Sequence, residues 1–494
     1  MNTNELPPRD LWEVARRLKH DEPLDAGDPR WVDTSPGRDL GHDRLYRSLG
    51  VDSRTWTLRM DRTRHCSLLS GHRGTGKSTE LRRIAAQLHG PDLFHVVFLD
   101  ILREPTGGGR FHSHDVCLAL CRRLLTEMEQ EGVPLDGDGT RLLETWLRTQ
   151  PSQPTVPGLP DSLESRPASH GNGHGNGNGV VQGMGEASVA KLLDAWIAWG
   201  RSGLAAREAI ATSFHEGFDG FSDAFNHLVA MARRRLKEEG LGRDLLFVLD
   251  GTDRLDGDDG RTFFGGESHP LRQLDGIFVH CAPVQPIRPP GGVQPLFDRI
   301  VRLAPLTLHE KFDPGSPSLP VRVRGSQEHH RRIPSRPRFE LGPVPIPAAY
   351  DVMRQMILMR APARFFDPDP VETGDWSLLD RLVGASGGHP RDLMRLLDHA
   401  FGHAGGDRFD ADSVTQAIRS LAGEYRRILE PDDYRLLAEI DRGGPRCMPQ
   451  CDATRRLLGN LALLEYDGDW WQSHPLVRSL PDYRNALEKV PAAT

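Results

Sequence analysis

The sequence contains no run approaching the roughly 20 apolar residues that a membrane-spanning helix needs, so no membrane partner is expected. Met1–Arg9 is polar and lacks the apolar stretch of a secretion signal, which points to a cytoplasmic chain. Cysteine is sparse. Six residues (Cys66, Cys117, Cys121, Cys281, Cys447 and Cys451) are scattered along 494 in a long chain with no secretory pattern, so reduced thiols are expected. An excess of basic residues is also missing: 62 Lys and Arg against 69 Asp and Glu give a net charge of -7. A dedicated nucleic-acid binder carries the opposite balance, so nucleic acid is not the favoured partner. Hydrophobic residues make up only 37% of the chain, a deficit that polar insertions in a globular protein would explain.

What is present is an alternation of short apolar runs and amphipathic stretches. His65–Ser70, His95–Leu99, Leu245–Leu249, Ile277–His280 and Arg299–Leu303 read as strands, the third ending in Asp250. With helices between them, these strands predict a parallel sheet covered on both faces. The expected organisation starts with an N-terminal arm (1–60) and a core (61–304). The core carries a helical insertion over about 105–240. Within it, 151–188 is rich in Gly, Asn and His and reads as a flexible loop, with His170 and His174 in a solvated linker. A Pro- and Arg-rich linker follows (305–345), then a helical lid (346–425) and a small winged-helix unit (426–494). In that last unit Asp467-Gly468-Asp469 turns a hairpin.

The segment Gly71-His72-Arg73-Gly74-Thr75-Gly76-Lys77-Ser78-Thr79 matches G-x-x-x-x-G-K-[ST] in full. Glycines let such a loop curl so that backbone N–H groups face phosphate oxygens, with the positive end of the next helix behind them. Lys77 would reach the β- and γ-phosphates, and the Ser78 hydroxyl would ligate magnesium. The loop lies between an apolar strand and a helix with Leu81, Ile84, Ala85 and Leu88 on one face, the context that chemistry requires. A bound nucleoside triphosphate with Mg2+ is expected, ATP being the expected nucleotide. Asp250, at the carboxyl end of its strand, is placed to share that metal. Position 251, where a water-orienting carboxylate is usual, is Gly251. Asp253 either takes that role or pairs with Arg254.

These residues resemble the AAA+ and STAND branches of P-loop ATPases. The resemblance rests on Gly71–Thr79, on Leu245–Asp250 with its Gly-Thr-Asp-Arg continuation, on Ile277–Cys281 followed by Ala282-Pro283, and on Gly387-Gly388-His389-Pro390-Arg391-Asp392-Leu393. It covers roughly 40–105 and 240–480, and the Asp-Gly-x-Asp arrangement is closest to NACHT-type STAND proteins. The resemblance implies a three-layer P-loop ATPase core, a helical lid and a C-terminal winged helix. It also implies an ATP-dependent conformational switch with slow or partner-stimulated hydrolysis, assembling with itself or a partner protein. The alternatives are a DNA-associated AAA+ remodeller of origin-recognition type, or a nucleotide-holding scaffold without turnover. By the same resemblance Arg391 contacts the γ-phosphate, or else pairs with Asp392 or Asp398. His474 contacts the β-phosphate of ADP, or else packs on Trp470 or Trp471. The chain departs from the pattern in the long gap between Lys77 and Asp250, and in Cys281 where a polar sensor residue is usual.

Two weaker signals remain. Cys117-x-x-x-Cys121, near His112 and His114, and Cys447-x-x-x-Cys451 lack the convergent second pair of a zinc site and read as structural. The cluster Arg322, Arg324, Arg331, Arg332, Arg336 and Arg338 has few aromatics with which to stack bases.

Overall fold

The computed structural model describes residues 7–101, 103, 112–135, 137–150, 189–254, 263–264, 273–284, 297–309, 345–443, 451–467 and 470–490. The loop 151–188 with its histidines, the arginine cluster at 322–338 and Cys447 lie outside the described residues.

In chain order the N-terminal arm carries α1 (Leu11–Arg17) and α2 (His42–Ser48), then a two-stranded hairpin, β1 (Val51–Asp52) and β2 (Thr57–Leu58). The core begins with β3 (Arg64–Gly71), α3 (Lys77–Leu88) and β4 (Phe94–Asp100). Four helices follow: α4 (Ser113–Gln130), α5 (Asp138–Thr149), α6 (Val189–Gly200) and α7 (Leu204–Glu238). The strands β5 (Asp244–Asp250), β6 (Gly276–Pro283) and β7 (Arg299–Arg302) complete one parallel sheet in the order β4-β5-β6-β3-β7. The architecture is a P-loop NTPase-like α/β core with flanking helices.

The apolar runs are continuous because both faces of the sheet are covered. Leu245, Phe247 and Leu249 of β5 face a core built with α4 to α7. Leu246 and Val248, between them, face a second core built with α2 and α3. The inserted helices therefore form one layer of the sandwich instead of an appendage. Cys117 and Cys121 are fully buried in that layer, and burial pushes both thiols up, which makes them inert packing groups. The sequence pattern predicts only Ser222–Glu239 as helical here, whereas α7 runs on from Leu204. Its Gly217 leaves the helical region (φ -114°, ψ 18°), and the Trp146 indole donates to the Gly217 carbonyl at 2.9 Å. Glycine lets the helix bend at that point without ending it.

The C-terminal region is helical. It comprises α8 (Pro347–Leu358), α9 (Pro370–Thr373), α10 (Ser377–Ser386), α11 (Pro390–His403), α12 (Ala411–Ile428), α13 (Pro431–Gly443) and α14 (Asp452–Gly459). The hairpin β8 (Leu463–Asp467) and β9 (Trp470–Ser473) follows, then α15 (Pro475–Ser479) and α16 (Pro481–Lys489). One hydrophobic core runs through the whole of it, from Val352 and Leu379 to Leu463 and Tyr483, and takes in Leu11 and Val14 of the arm. Among the described residues no helix is long and apolar enough to cross a membrane.

Candidate functional site

β3 delivers the chain to Gly71 at the carboxyl edge of the sheet, and α3 begins at Lys77 with no side-chain cap. Gly74 (φ 95°) and Gly76 (φ 98°) are left-handed, and they curl the intervening loop. Space makes a second demand at Gly74. A Cβ there would lie 2.7 Å from Arg391 Cβ and 2.8 Å from a His389 ring carbon. The loop is thus clasped by the start of α11.

Lys77 is almost fully buried. Its ammonium donates to the Gly71 and His72 carbonyls at 2.8 Å each and pairs with Asp253 Oδ2 at 2.9 Å. The Ser78 hydroxyl donates to Asp250 Oδ1 at 2.8 Å, and the Gly251 N–H reaches the same oxygen at 2.8 Å. The two expected magnesium ligands, from residues 172 positions apart, are therefore adjacent. A hydroxyl and a buried carboxylate are hard oxygen donors, so the pair fits Mg2+, which completes its shell with water and phosphate oxygens. Burial raises the Asp250 carboxyl above the usual range, and the nearby Asp253 and Asp100 charges add to this, while the Ser78 hydroxyl opposes it. Asp250, Asp253 and Cys281 converge with ligand atoms within 4.8 Å of one another. Burial and these carboxylates push the Cys281 thiol up, so it is a neutral neighbour of the acids. The Thr252 hydroxyl donates to the Cys281 carbonyl and pins the turn after β5 to β6.

The other loop residues divide by direction. Thr75 is buried and bonds within the loop, its hydroxyl donating to the His72 carbonyl at 2.9 Å. The Thr79 hydroxyl accepts the Leu24 N–H at 3.1 Å. The Arg73 carbonyl meets His389 Nε2 at 2.9 Å, while the Arg73 side chain is exposed beside the cleft. His72 points away from the cleft. Its Nδ1 lies 3.2 Å from the Leu458 carbonyl, and its Nε2 accepts the Glu465 N–H at 2.8 Å. Those partners assign the tautomer: Nδ1 carries the proton. The phosphate loop is consequently joined by a side chain to α14 and β8.

Arg391, in the first turn of α11, donates its N–H to the Gly74 carbonyl at 3.3 Å and lines the same cleft as Lys77 and Ser78. Its guanidinium lies 3.3 Å from Asp21 of the arm, not on Asp392 or Asp398. Asp392 is fully buried and engaged elsewhere, accepting from Tyr425 at 2.7 Å and Arg395 at 3.1 Å, with His474 at 3.2 Å and His389 at 3.6 Å. Burial alone would raise this carboxyl; His389 and His474 hold it well below its ordinary value. His474 stacks on Tyr425 with centroids 4.7 Å apart. It belongs to this buried cluster, held by its ion pair to Asp392 and its stack on Tyr425.

Motif reading misses three groups that complete the cleft. Arg38 is half-buried and donates to the Thr75 carbonyl at 2.9 Å and the Ala304 carbonyl at 2.8 Å; desolvation of its guanidinium lowers its pKa to about 10. Trp31 lies under the Arg83 guanidinium at 3.7 Å. Asp21 is the third. All come from the arm, where no local pattern marks them.

No protein-family model and no curated protein matches the sequence. Among solved structures, a Walker-type ATPase of Pyrococcus abyssi aligns over 95% of this chain and 99% of its own, with 10% identity and a TM-score of 0.40. Cdc6p from Pyrobaculum aerophilum aligns over 93% of this chain and 98% of its own, with 13% identity and a TM-score of 0.32. Neither likeness is close enough to bear on function, which rests on the geometry above.

Proposed function

We propose that the chain is an ATP-binding P-loop ATPase that acts as a conformational switch. The phosphate loop and Lys77 hold the polyphosphate. Ser78 and Asp250 hold magnesium, and Arg391 reads the γ-phosphate from a lid formed by α8 to α12. Asp253 plays two parts in turn: it neutralises Lys77, and once a phosphate takes Lys77 it orients the attacking water. The bound metal supplies charge neutralisation on the phosphate oxygens.

The observation that carries the switch reading is the double grip on the loop. His389 and Arg391 of α11 hold the Arg73 and Gly74 carbonyls, while His72 is held by α14 and β8. Any rearrangement of the loop around a phosphate is therefore transmitted to the α13–α16 unit, which takes the winged-helix role. Turnover of ATP, with mass measured in each nucleotide state, tests the reading. Mg2+-dependent phosphate release by the wild type and its loss in Lys77→Ala support it. Binding without release at any metal concentration would leave a scaffold in place of an ATPase.

A further inference from the structure

The arm crosses the mouth of the cleft and is fastened on both sides. On the α3 side the Leu24 N–H bonds Thr79, Arg82 donates to the Pro23 carbonyl at 3.2 Å and to Asp25 at 2.6 Å, and Trp31 packs on Arg83. On the α11 side Trp12 packs edge-on against Phe401 at 5.1 Å, and Arg360 donates to the Arg30 carbonyl at 3.2 Å. Directly over the cleft the link is the ion pair between Asp21 and Arg391.

We propose that Lys19–Thr34 is a strap controlling nucleotide exchange, in which Asp21 competes with the γ-phosphate of a nucleoside triphosphate for Arg391. The inference rests on the reading of Gly71–Ser78 as the ATP site. Three properties of the pair support it. First, the partners are unequal: the Asp21 side chain is 64% exposed and the Arg391 side chain 14%. A carboxylate that accessible to water holds its partner weakly. Second, the Arg391 backbone is bonded to Gly74, so its guanidinium acts next to the phosphate loop, and a phosphate offers it more acceptor oxygens and more charge than one carboxylate. Third, Asp21 and Glu22 both line the cleft. His20 lies 3.3 Å from Asp21, and Lys19 lies 3.0 Å from Glu22. A triphosphate that takes Arg391 leaves Asp21 facing like charge, which drives the strap outward. A diphosphate lacks the group that competes, so the strap stays fastened over it. The arm is then the element that distinguishes the two nucleotides.

The test is calorimetric titration of the full chain with ATP–Mg2+ and with ADP–Mg2+. Wild type, Asp21→Asn, Arg391→Ala and the double variant are compared. Asp21→Asn keeps the size of an exposed side chain and leaves the fold intact. It is expected to tighten ATP roughly two- to five-fold, the range for a partly exposed pair, and to leave ADP unchanged. In the Arg391→Ala background its effect on ATP is expected to shrink to the smaller relief of like charge. The inference is overturned if Asp21→Asn leaves ATP affinity unaltered, weakens it, tightens ADP equally, or tightens ATP just as much without Arg391. Failure of the wild type to bind either nucleotide overturns the site reading and this inference together. Normal binding, weakened by Lys77→Ala, with a silent Asp21→Asn overturns this inference alone.

Discussion

At the scale of single residues the candidate site is two ion pairs and one hydrogen bond to a carboxylate. Lys77 holds Asp253, Ser78 holds Asp250, and Arg391 holds Asp21. On the proposed reading a polyphosphate with its metal would take the place of these contacts. Lys77→Ala removes a charge-assisted contact, and nucleotide affinity should fall roughly 10- to 100-fold in a binding titration. The raised carboxyl of Asp250 gives a pH prediction with a definite sign. A group protonated at higher pH than usual lets protons compete with Mg2+ earlier on acidification. The Mg2+ concentration for half-maximal nucleotide binding should therefore rise about tenfold per pH unit below that raised pKa. A metal requirement that stays flat down to about pH 4, the ordinary aspartate range, contradicts the assignment. Ser78 and Asp250 are readable in the sequence because each stands at a fixed place on its own element: the first turn after the loop, and the end of an apolar strand. Asp21, Arg38 and His72 are not readable in the same way, since their partners lie far along the chain and only the folded structure brings them together.

Among the elements, α11 couples most directly to the loop. Its His389 caps the helix through the Asp392 N–H at 3.3 Å and reaches Arg73 with its other ring nitrogen. Gly74→Ala should be costly twice over, through the left-handed backbone and through contact with Arg391 and His389. Thermal unfolding and nucleotide titration should both register the loss. Asp392→Asn leaves Arg395, Tyr425 and His474 around a neutral group in a buried site. A loss of about 3 kcal/mol in denaturant unfolding is expected, and a loss below about 0.5 kcal/mol contradicts the network. The core strands are legible because burial on two faces needs unbroken apolar runs. The segment before Ser222 is harder, because Gly217 and Gly220 look like helix breakers in sequence, while in the fold they make room for Trp146.

For the whole molecule, the arrangement of cores decides what can move. The sheet has two cores of its own, and the entire C-terminal region shares a third with α1. The helices read as a lid and those read as a winged helix are packed together, so the switch we propose would move one C-terminal body against the sheet. The phosphate loop, the strap and His72 are links between the two. Helix spacing and the Asp467-Gly468-Asp469 signal suggest two units in the sequence, but the core that α8–α12 and α13–α16 share is not readable there, because side-chain packing between distant helices leaves no local pattern. His72→Ala removes one link and should leave nucleotide affinity within about threefold, because the His72 side chain faces away from the cleft. It should nonetheless weaken the response of α14 and β8 to ATP, while the α11 contacts to the loop remain. The most direct test is hydrogen–deuterium exchange of the wild-type protein without nucleotide, with ADP–Mg2+ and with ATP–Mg2+. We expect slowed exchange across residues 71–79 with either nucleotide, and a further change at 458–466 with ATP alone. Slowed exchange at 71–79 with 458–466 identical in all three states would contradict the switch, and no change at 71–79 would contradict the nucleotide site itself.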